Sequence, residues 1–215
     1  MGGATAALQR IWNAEAALAD EDLAAALRWA DEAVSTTTGW WLIQGLTARA
    51  RVAIAAGEPE QADRDAHDAL TCAAGIKAYQ AIPDILECLA AVAGDAGSHR
   101  EPARLFGAAH GIRERIGSVR FKIYEAGYEA SVAALRDALG EQDFDDAWAE
   151  GAALSTEEAI TYAQRGRGER KRPTPNTTSC DWSAKDSPTR TSPPGFSSHR
   201  APCKPTSPTS TPNSG

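Results

Sequence analysis

Residues 57 to 70 read GEPEQADRDAHDAL, and this stretch decides the fold of the chain. Gly57 can end a preceding helix, because glycine adopts the left-handed backbone conformation without a Cβ clash. Pro59 can begin the next helix, where a missing backbone N–H is not needed. Small side chains then recur at spacings of four and three and line one helix face: Ala62, Ala66 and Ala69. The pattern predicts two helices that approach closely across a short turn.

The same stretch is similar to a tetratricopeptide repeat unit, which is a helix–turn–helix. In that repeat a Gly is followed by Ala five residues later and by Ala-Leu at twelve and thirteen. These offsets are met by Gly57, Ala62, Ala69 and Leu70. Leu46 and Ala53 stand where the first helix of the repeat has aromatic residues, so the repeat is degenerate. The resemblance predicts antiparallel helices that stack as pairs.

Helical periodicity continues on both sides of this stretch, and no alternating run typical of a strand occurs. We predict helices at about 4–18, 21–34 and 40–56, with Asp20 capping the second. Five more helices follow the central one, and Ser155 with Glu158 forms a capping-box pattern before the last. The seventh helix is expected to carry one continuous apolar stripe: Phe121, Tyr124, Tyr128, Val132, Leu135 and Leu139. The expected fold class is all-α, an antiparallel helical-repeat (TPR-like) array.

The chain changes character at residue 173. Residues 173–215 contain no Leu, Ile, Val or Met and are dominated by Ser, Thr and Pro. Such a segment cannot bury enough apolar surface to offset the entropy of ordering it. We therefore predict a TPR-like helical domain at 1–165, a basic linker at 166–172 and a disordered tail at 173–215.

Charge and motifs argue against several classes of function. The net charge of -7 opposes affinity of the whole molecule for nucleic acid. No apolar stretch reaches the length of a membrane span, and the N-terminus lacks the regions of a signal peptide, so a cytoplasmic location is expected. The His and Cys residues lack metal-ligand spacing, and neither a nucleophile elbow nor a phosphate loop occurs. We expect no enzyme activity, no cofactor and no metal.

Two features are candidates for contacts with partners. Trp40 and Trp41 are adjacent, so their side chains point about 100° apart on a helix and cannot both face one core. Either one of them lies on a binding surface, or both lie between helix layers. The run RGRGERKR at 165–172 could contact phosphate or act as a solvated linker. Its basic residues are Arg165, Arg167, Arg170, Lys171 and Arg172.

The body of the chain resembles a known family of regulators. The segments GEPEQADRDAHDAL, VRFKIYEAGYEASVAALRDALGEQDFDDAWAEGAALSTEEAI and YAQRGRGERKRP look like the region just before the DNA-binding domain of large LuxR-type regulators of actinobacteria. The family shares the order and spacing of Phe144, Ala147, Gly151, Glu158 and Ala159. In such regulators an ATPase module precedes a tetratricopeptide-like region, and a LuxR-type helix–turn–helix ends the chain. The resemblance implies that the helical region senses signals or contacts a protein partner or regulator.

The resemblance ends near residue 173, where the LuxR-type helix–turn–helix would be expected. Residues 182–215 resemble that coding sequence read in another frame, because Ser/Thr/Pro bias does not explain the placing of Trp182, Phe196, His199 and Cys203. We therefore expect a truncated, frameshifted regulator that works as a binding module without sequence-specific DNA binding. The alternative is an active regulator that binds DNA through its basic linker and tail. Salt-dependent retardation of duplex DNA would distinguish the two.

Overall fold

A computed structural model of the chain describes residues 2–94 and 99–165. The described residues form nine α-helices and two short 3₁₀ turns, and they contain no β-strand. The helices are α1 (Gly2–Ala19), α2 (Leu23–Thr36), α3 (Gly39–Ala55), α4 (Pro59–Gly75), α5 (Ile82–Gly94), α6 (Arg100–Ile116), α7 (Glu125–Leu139), α8 (Glu141–Ala152) and α9 (Thr156–Arg165). The 3₁₀ turns, Tyr79–Ala81 and Lys122–Tyr124, come directly before α5 and α7. The all-α class is confirmed.

The stretch from Gly57 to Leu70 forms the turn and the helix that the sequence predicts. Gly57 has a φ of +71°, in the left-handed region. This conformation turns the backbone so that the Glu58 N–H donates back to the Ala53 carbonyl at 2.8 Å. Pro59 begins α4, and the small residues of its inner face are buried where α4 packs along α3. Close approach of these two helices therefore follows from small side chains at helical spacing.

Helices α1 to α6 pack in chain order, each against the next, through short connections. Helices that lie side by side and are joined by short loops are antiparallel. This order ends after α6, which packs most extensively against α8, while α7 lies against α5, α6 and α8. One hydrophobic core extends from α3 to α9, and a smaller cluster made by Ile11, Ala33 and Ala48 joins α1, α2 and α3.

Three glycines bring α6 and α8 into direct backbone contact. A Cβ atom on Gly107 or Gly111 of α6 would collide with backbone atoms of α8. A Cβ atom on Gly151 of α8 would collide with the carbonyl oxygen of Arg104 in α6. The backbone in these places cannot move away as a flexible side chain could, so the crossing depends on the absence of side chains. It holds the C-terminal helices onto the core.

The predicted cap of α2 needs correction. Asp22 caps this helix, because its carboxylate accepts a hydrogen bond from the Ala25 N–H at 3.0 Å. Asp20 instead completes the last turn of α1, where its N–H donates to the Ala16 carbonyl. By contrast, the capping box before α9 is as predicted. The Ser155 N–H donates to the Glu158 carboxylate at 2.9 Å, and the Glu158 N–H donates to the Ser155 hydroxyl at 3.2 Å.

The apolar stripe predicted for the seventh helix is interrupted at its start. Phe121 lies before α7 in extended backbone and is 59% exposed. Its ring lies edge-on to Trp12 of α1 and to Tyr124, so aromatic contacts outside the helix hold it there. Leu135 is the buried residue of α7, and the other stripe members within the helix are partly buried against the core: Tyr128, Val132 and Leu139.

Candidate ligand-binding site

Arginines and carboxylates from distant parts of the chain form a continuous ion-pair network. Its members lie on α1, α3, α5, α6 and the segment after α6: Glu15, Arg51, Asp84, Glu87, Arg113 and Arg120. Arg51 donates to Glu15 at 3.1 Å and to Asp84 at 2.9 Å. Arg113 donates to Asp84 at 2.9 Å and to Glu87 at 3.1 Å. Arg120 donates to both oxygens of Glu87. Removing one partner would leave a buried charge uncompensated, so the network fixes these helices relative to one another.

Tyrosine rings cover two guanidinium groups of this network. The Tyr124 ring lies 3.8 Å from the guanidinium carbon of Arg51, and the Tyr128 ring lies 3.4 Å from that of Arg120. These are cation–π contacts, which gain strength where water is excluded. Burial raises the pKa of Tyr124, and the carboxylates of Glu15 and Asp84 raise it further against the opposing charge of Arg51. The phenol is therefore neutral at physiological pH.

Cys88 lies beside this network and contributes packing. The thiol is free and buried, and its burial raises its pKa to about 12 even though Arg51 opposes this shift. The thiolate is the reactive form of cysteine, so a thiol with this pKa is a poor nucleophile at neutral pH.

A cavity of about 370 Å³ opens next to the network, and we call it the aromatic cavity. Its walls carry aromatic residues of α1, α3 and the segment after α6: Trp12, Trp40, Trp41 and Phe121. Its polar groups come partly from the network, through Glu15, Arg51, Asp84 and Arg113. Such a combination of aromatic walls and a few converging polar groups is typical of small-molecule sites.

A second cavity of about 310 Å³ lies beside α5 and α7. It shares Arg51 and Tyr124 with the aromatic cavity, so these two residues stand between the two spaces. The rest of its lining is mostly apolar and includes Leu18, Ile54 and Phe106.

The two adjacent tryptophans serve different parts of the structure. Trp40 packs against the main core, and Trp41 packs against the cluster of α1, α2 and α3. Both are partly buried, and both line the aromatic cavity. Each ring therefore lies between helices while also lining a cavity, and contact of either tryptophan with a protein partner stays a prediction.

The predicted basic site is described only at its first residue. Arg165 is exposed at the end of α9. Arg167, Arg170, Lys171 and Arg172 lie outside the described residues, as do the rest of the predicted linker at 166–172 and the tail at 173–215. Within 2–94 and 99–165, no group of His, Cys, Asp and Glu is arranged to hold a metal ion, and no helix could cross a membrane.

Sequence reasoning missed the ionic half of this site. Arg51, Asp84 and Arg113 stand among apolar residues of their helices, and a charge at an inward position was the available signal. Glu15 is 6% exposed, and its spacing of four residues from Ile11 and three from Trp12 was the available signal of its burial.

The chain was compared with family models, solved structures and curated proteins. No protein-family model matches the chain, and no solved structure matches it. Proteins of Mycobacterium tuberculosis (strain H37Rv) and Mycobacterium bovis are 58% identical to it over 166 residues, which are 77% of this chain. Each is named "Putative HTH-type transcriptional regulator". The chain is similar to one segment of a transcriptional regulator. This regulator-like segment spans about a fifth of the length of the relatives, since the match covers 19% of each.

Proposed function

We propose that this chain is the helical signal-sensing or protein-interaction module of a LuxR-family transcriptional regulator, and that its helices form a tetratricopeptide-like repeat. The observation that carries the proposal is the 58% identity to a segment of proteins named as HTH-type regulators. The left-handed turn at Gly57 and the small residues of α4 support the repeat assignment.

Pairing of the basic residues favours sensing over DNA reading. Proteins that bind DNA present Lys and Arg side chains without carboxylate partners to the phosphates. Eight arginines of the described helices and loops form ion pairs with carboxylates instead: Arg10, Arg49, Arg51, Arg100, Arg104, Arg113, Arg120 and Arg136. The net charge of -7 adds to this preference.

The aromatic cavity and the ion-pair network suit a module that binds rather than one that catalyses. The network pairs its guanidinium groups with carboxylates, and burial keeps the nearby thiol protonated. We therefore propose a non-enzymatic role without a cofactor. A regulator works beside the chromosome, so we propose that the module acts in the cytoplasm and contacts a protein partner.

A segment exchange tests this assignment. The 166-residue segment of the M. tuberculosis relative is replaced by the matching segment of this chain, and both proteins select DNA from a pool of random duplexes. If the segment senses or transmits signals, parent and chimera select the same DNA sequence. A chimera that selects a different sequence would show that this segment reads DNA.

A direct measurement on the chain distinguishes the proposed sensing module from the alternative, a regulator that binds DNA through its linker and tail. Fluorescence anisotropy is measured with the duplex selected by the relative and with a scrambled duplex, at about 50 and 200 mM salt. Equal, weak and salt-sensitive binding is expected, because phosphate contacts carry no sequence information. Discrimination of about tenfold or more would support an active DNA-binding regulator instead.

A further inference from the structure

Glu15 places an unsatisfied acceptor at the aromatic cavity. The residue lines the cavity, and its side chain is 6% exposed. One carboxylate oxygen, Oε1, accepts a hydrogen bond from Arg51 at 3.1 Å. The Tyr124 hydroxyl interacts with this carboxylate, but the other oxygen, Oε2, is buried and has no hydrogen bond of good geometry among the described residues. A buried carboxylate oxygen without a donor is costly, so it favours a ligand that brings one.

The two arginines that line the cavity already form ion pairs with carboxylates. Arg51 divides its donors between Glu15 and Asp84, and its guanidinium face is covered by Tyr124. Arg113 divides its donors between Asp84 and Glu87. Both guanidinium groups reach the same Asp84 oxygen, Oδ1. An anionic ligand would compete with the carboxylates for these arginines. A ligand with N–H donors would instead bind the carboxylate oxygen that the arginines do not reach.

The walls of the cavity favour the same class of ligand. Trp12 and Phe121 pack edge-to-face with ring centroids 5.9 Å apart, and the rings of Trp40 and Trp41 lie on α3. Indole faces attract cations, and aromatic walls accept flat apolar bodies. The volume of about 370 Å³ falls within the range of small-molecule pockets.

We propose that the aromatic cavity binds a small organic cation that carries N–H donors on a flat apolar body. In the complex, the N–H donors face Glu15 and the body lies among the tryptophan rings. This inference rests on the proposed sensing function and names the chemical class of the signal.

Three probes with one shape separate charge and donors from apolar packing. Benzamidinium is cationic and rich in N–H donors, benzamide is neutral and benzoate is anionic. Each is titrated into the full chain, and binding is followed by calorimetry and by tryptophan fluorescence. We expect benzamidinium to bind about tenfold or more tightly than either control probe, because the cation gains the carboxylate and the indole faces.

Matched variants locate the site. Glu15→Gln removes the charge while keeping the side-chain shape, and Trp12→Ala removes a wall that is already 49% exposed. Each should weaken benzamidinium binding about tenfold. Glu129→Gln removes an exposed carboxylate of α7 and should bind like the parent. If circular dichroism shows that Glu15→Gln unfolds, the affinity of Trp12→Ala for benzamidinium, compared with that of the parent, still tests whether the ligand binds in the aromatic cavity.

Equal affinity for the three probes, or benzamidinium binding that is unchanged in Trp12→Ala, would overturn the assignment. The segment exchange described above uses no ligand. A failure of ligand binding is therefore distinguishable from a failure of the proposed regulatory role.

Discussion

Replacing Gly151 by Ala tests whether the crossing of α6 and α8 depends on backbone contact. The new Cβ atom would meet the Arg104 carbonyl oxygen and lie 2.9 Å from the Ala108 nitrogen. Both neighbours belong to the backbone of α6, so the strain is relieved only if the helices separate. Overpacking of this kind costs about 1–3 kcal/mol, while the better helix propensity of Ala returns about 1 kcal/mol. Because the overlap is with backbone, we expect a net loss of about 1–2 kcal/mol.

The matched control is Gly127→Ala in α7. A Cβ atom at Gly127 has no neighbour within 4 Å, so the substitution changes propensity without changing packing. It should stabilise the chain by about 0.5–1 kcal/mol. Urea unfolding and thermal melts, followed by far-UV circular dichroism, measure both variants beside the parent. A chain of this size shifts by about 2–4 °C per kcal/mol, so the two variants should melt on opposite sides of the parent.

The reasoning is refuted if Gly151→Ala melts at or above the parent temperature. That result would mean that α6 and α8 accommodate a methyl group at their crossing. Gly107→Ala provides an independent check. Gly107 lies on α6, and its new Cβ atom would collide with the backbone of Trp148 on α8, so this variant should also melt below the parent.

Three further predictions concern the core, the buried thiol and the last helix cap. Leu135→Ala should cost about 2–5 kcal/mol, and a melt within about 1 °C of the parent would show that α7 is not held by this residue. Cys88 should resist alkylation at about pH 8 in the folded chain and react in denaturant, as peptide mapping by mass spectrometry will show; equal rates would contradict its burial. Ser155 lowers the pKa of Glu158 below its ordinary value of 4.5, so the cap contributes stability above that pH and loses it as pH falls through the lowered value. Glu158→Gln should therefore be less stable than the parent at neutral pH and equal to it in acid, and a constant difference would contradict this.

Local signals predicted the helices well because each depends on neighbours in the sequence. Gly57 ends α3 and Pro59 begins α4 through backbone geometry that a few residues determine. The Ser155 capping box is equally local. The cap at Asp22 was missed because either aspartate satisfies the pattern, and the length of α1 decides between them.

Packing between helices that are distant in the sequence could not be predicted from such local signals. Gly107 and Gly111 stand four residues apart on α6, but their partner segment lies on α8, beyond the intervening α7. The spacing of residues in α6 does not predict which later helix packs against it. Likewise, Phe121 continues the spacing of the α7 stripe, yet its contacts with Trp12 of α1 place it outside that helix.

The candidate site was hidden for the same reason. Arg51 pairs with a carboxylate of α1 on one side and with a carboxylate of α5 on the other. The inward position of each charge indicates burial, but only the fold shows which of these partly buried groups pair with one another. Trp40 and Trp41 were singled out because adjacent side chains point about 100° apart on a helix, but the sequence did not show that α1 and the segment after α6 complete a cavity with them.

The position of the cavity is consistent with the proposed sensing role. Its lining includes residues of α1, α3, α5, α6 and the segment after α6, so a bound molecule would contact several separated parts of the chain at once. A ligand shifts a conformational equilibrium only by binding one arrangement better than another. Trp12 and Phe121 contribute partly exposed rings to the lining, whereas Arg51 and Asp84 belong to the ionic network. A ligand in contact with both rings would therefore stabilise the present arrangement of α1 and the segment after α6 around the network. The same network reaches α6, whose crossing with α8 holds the C-terminal helices, so the cavity and the end of the helical region share one packed framework.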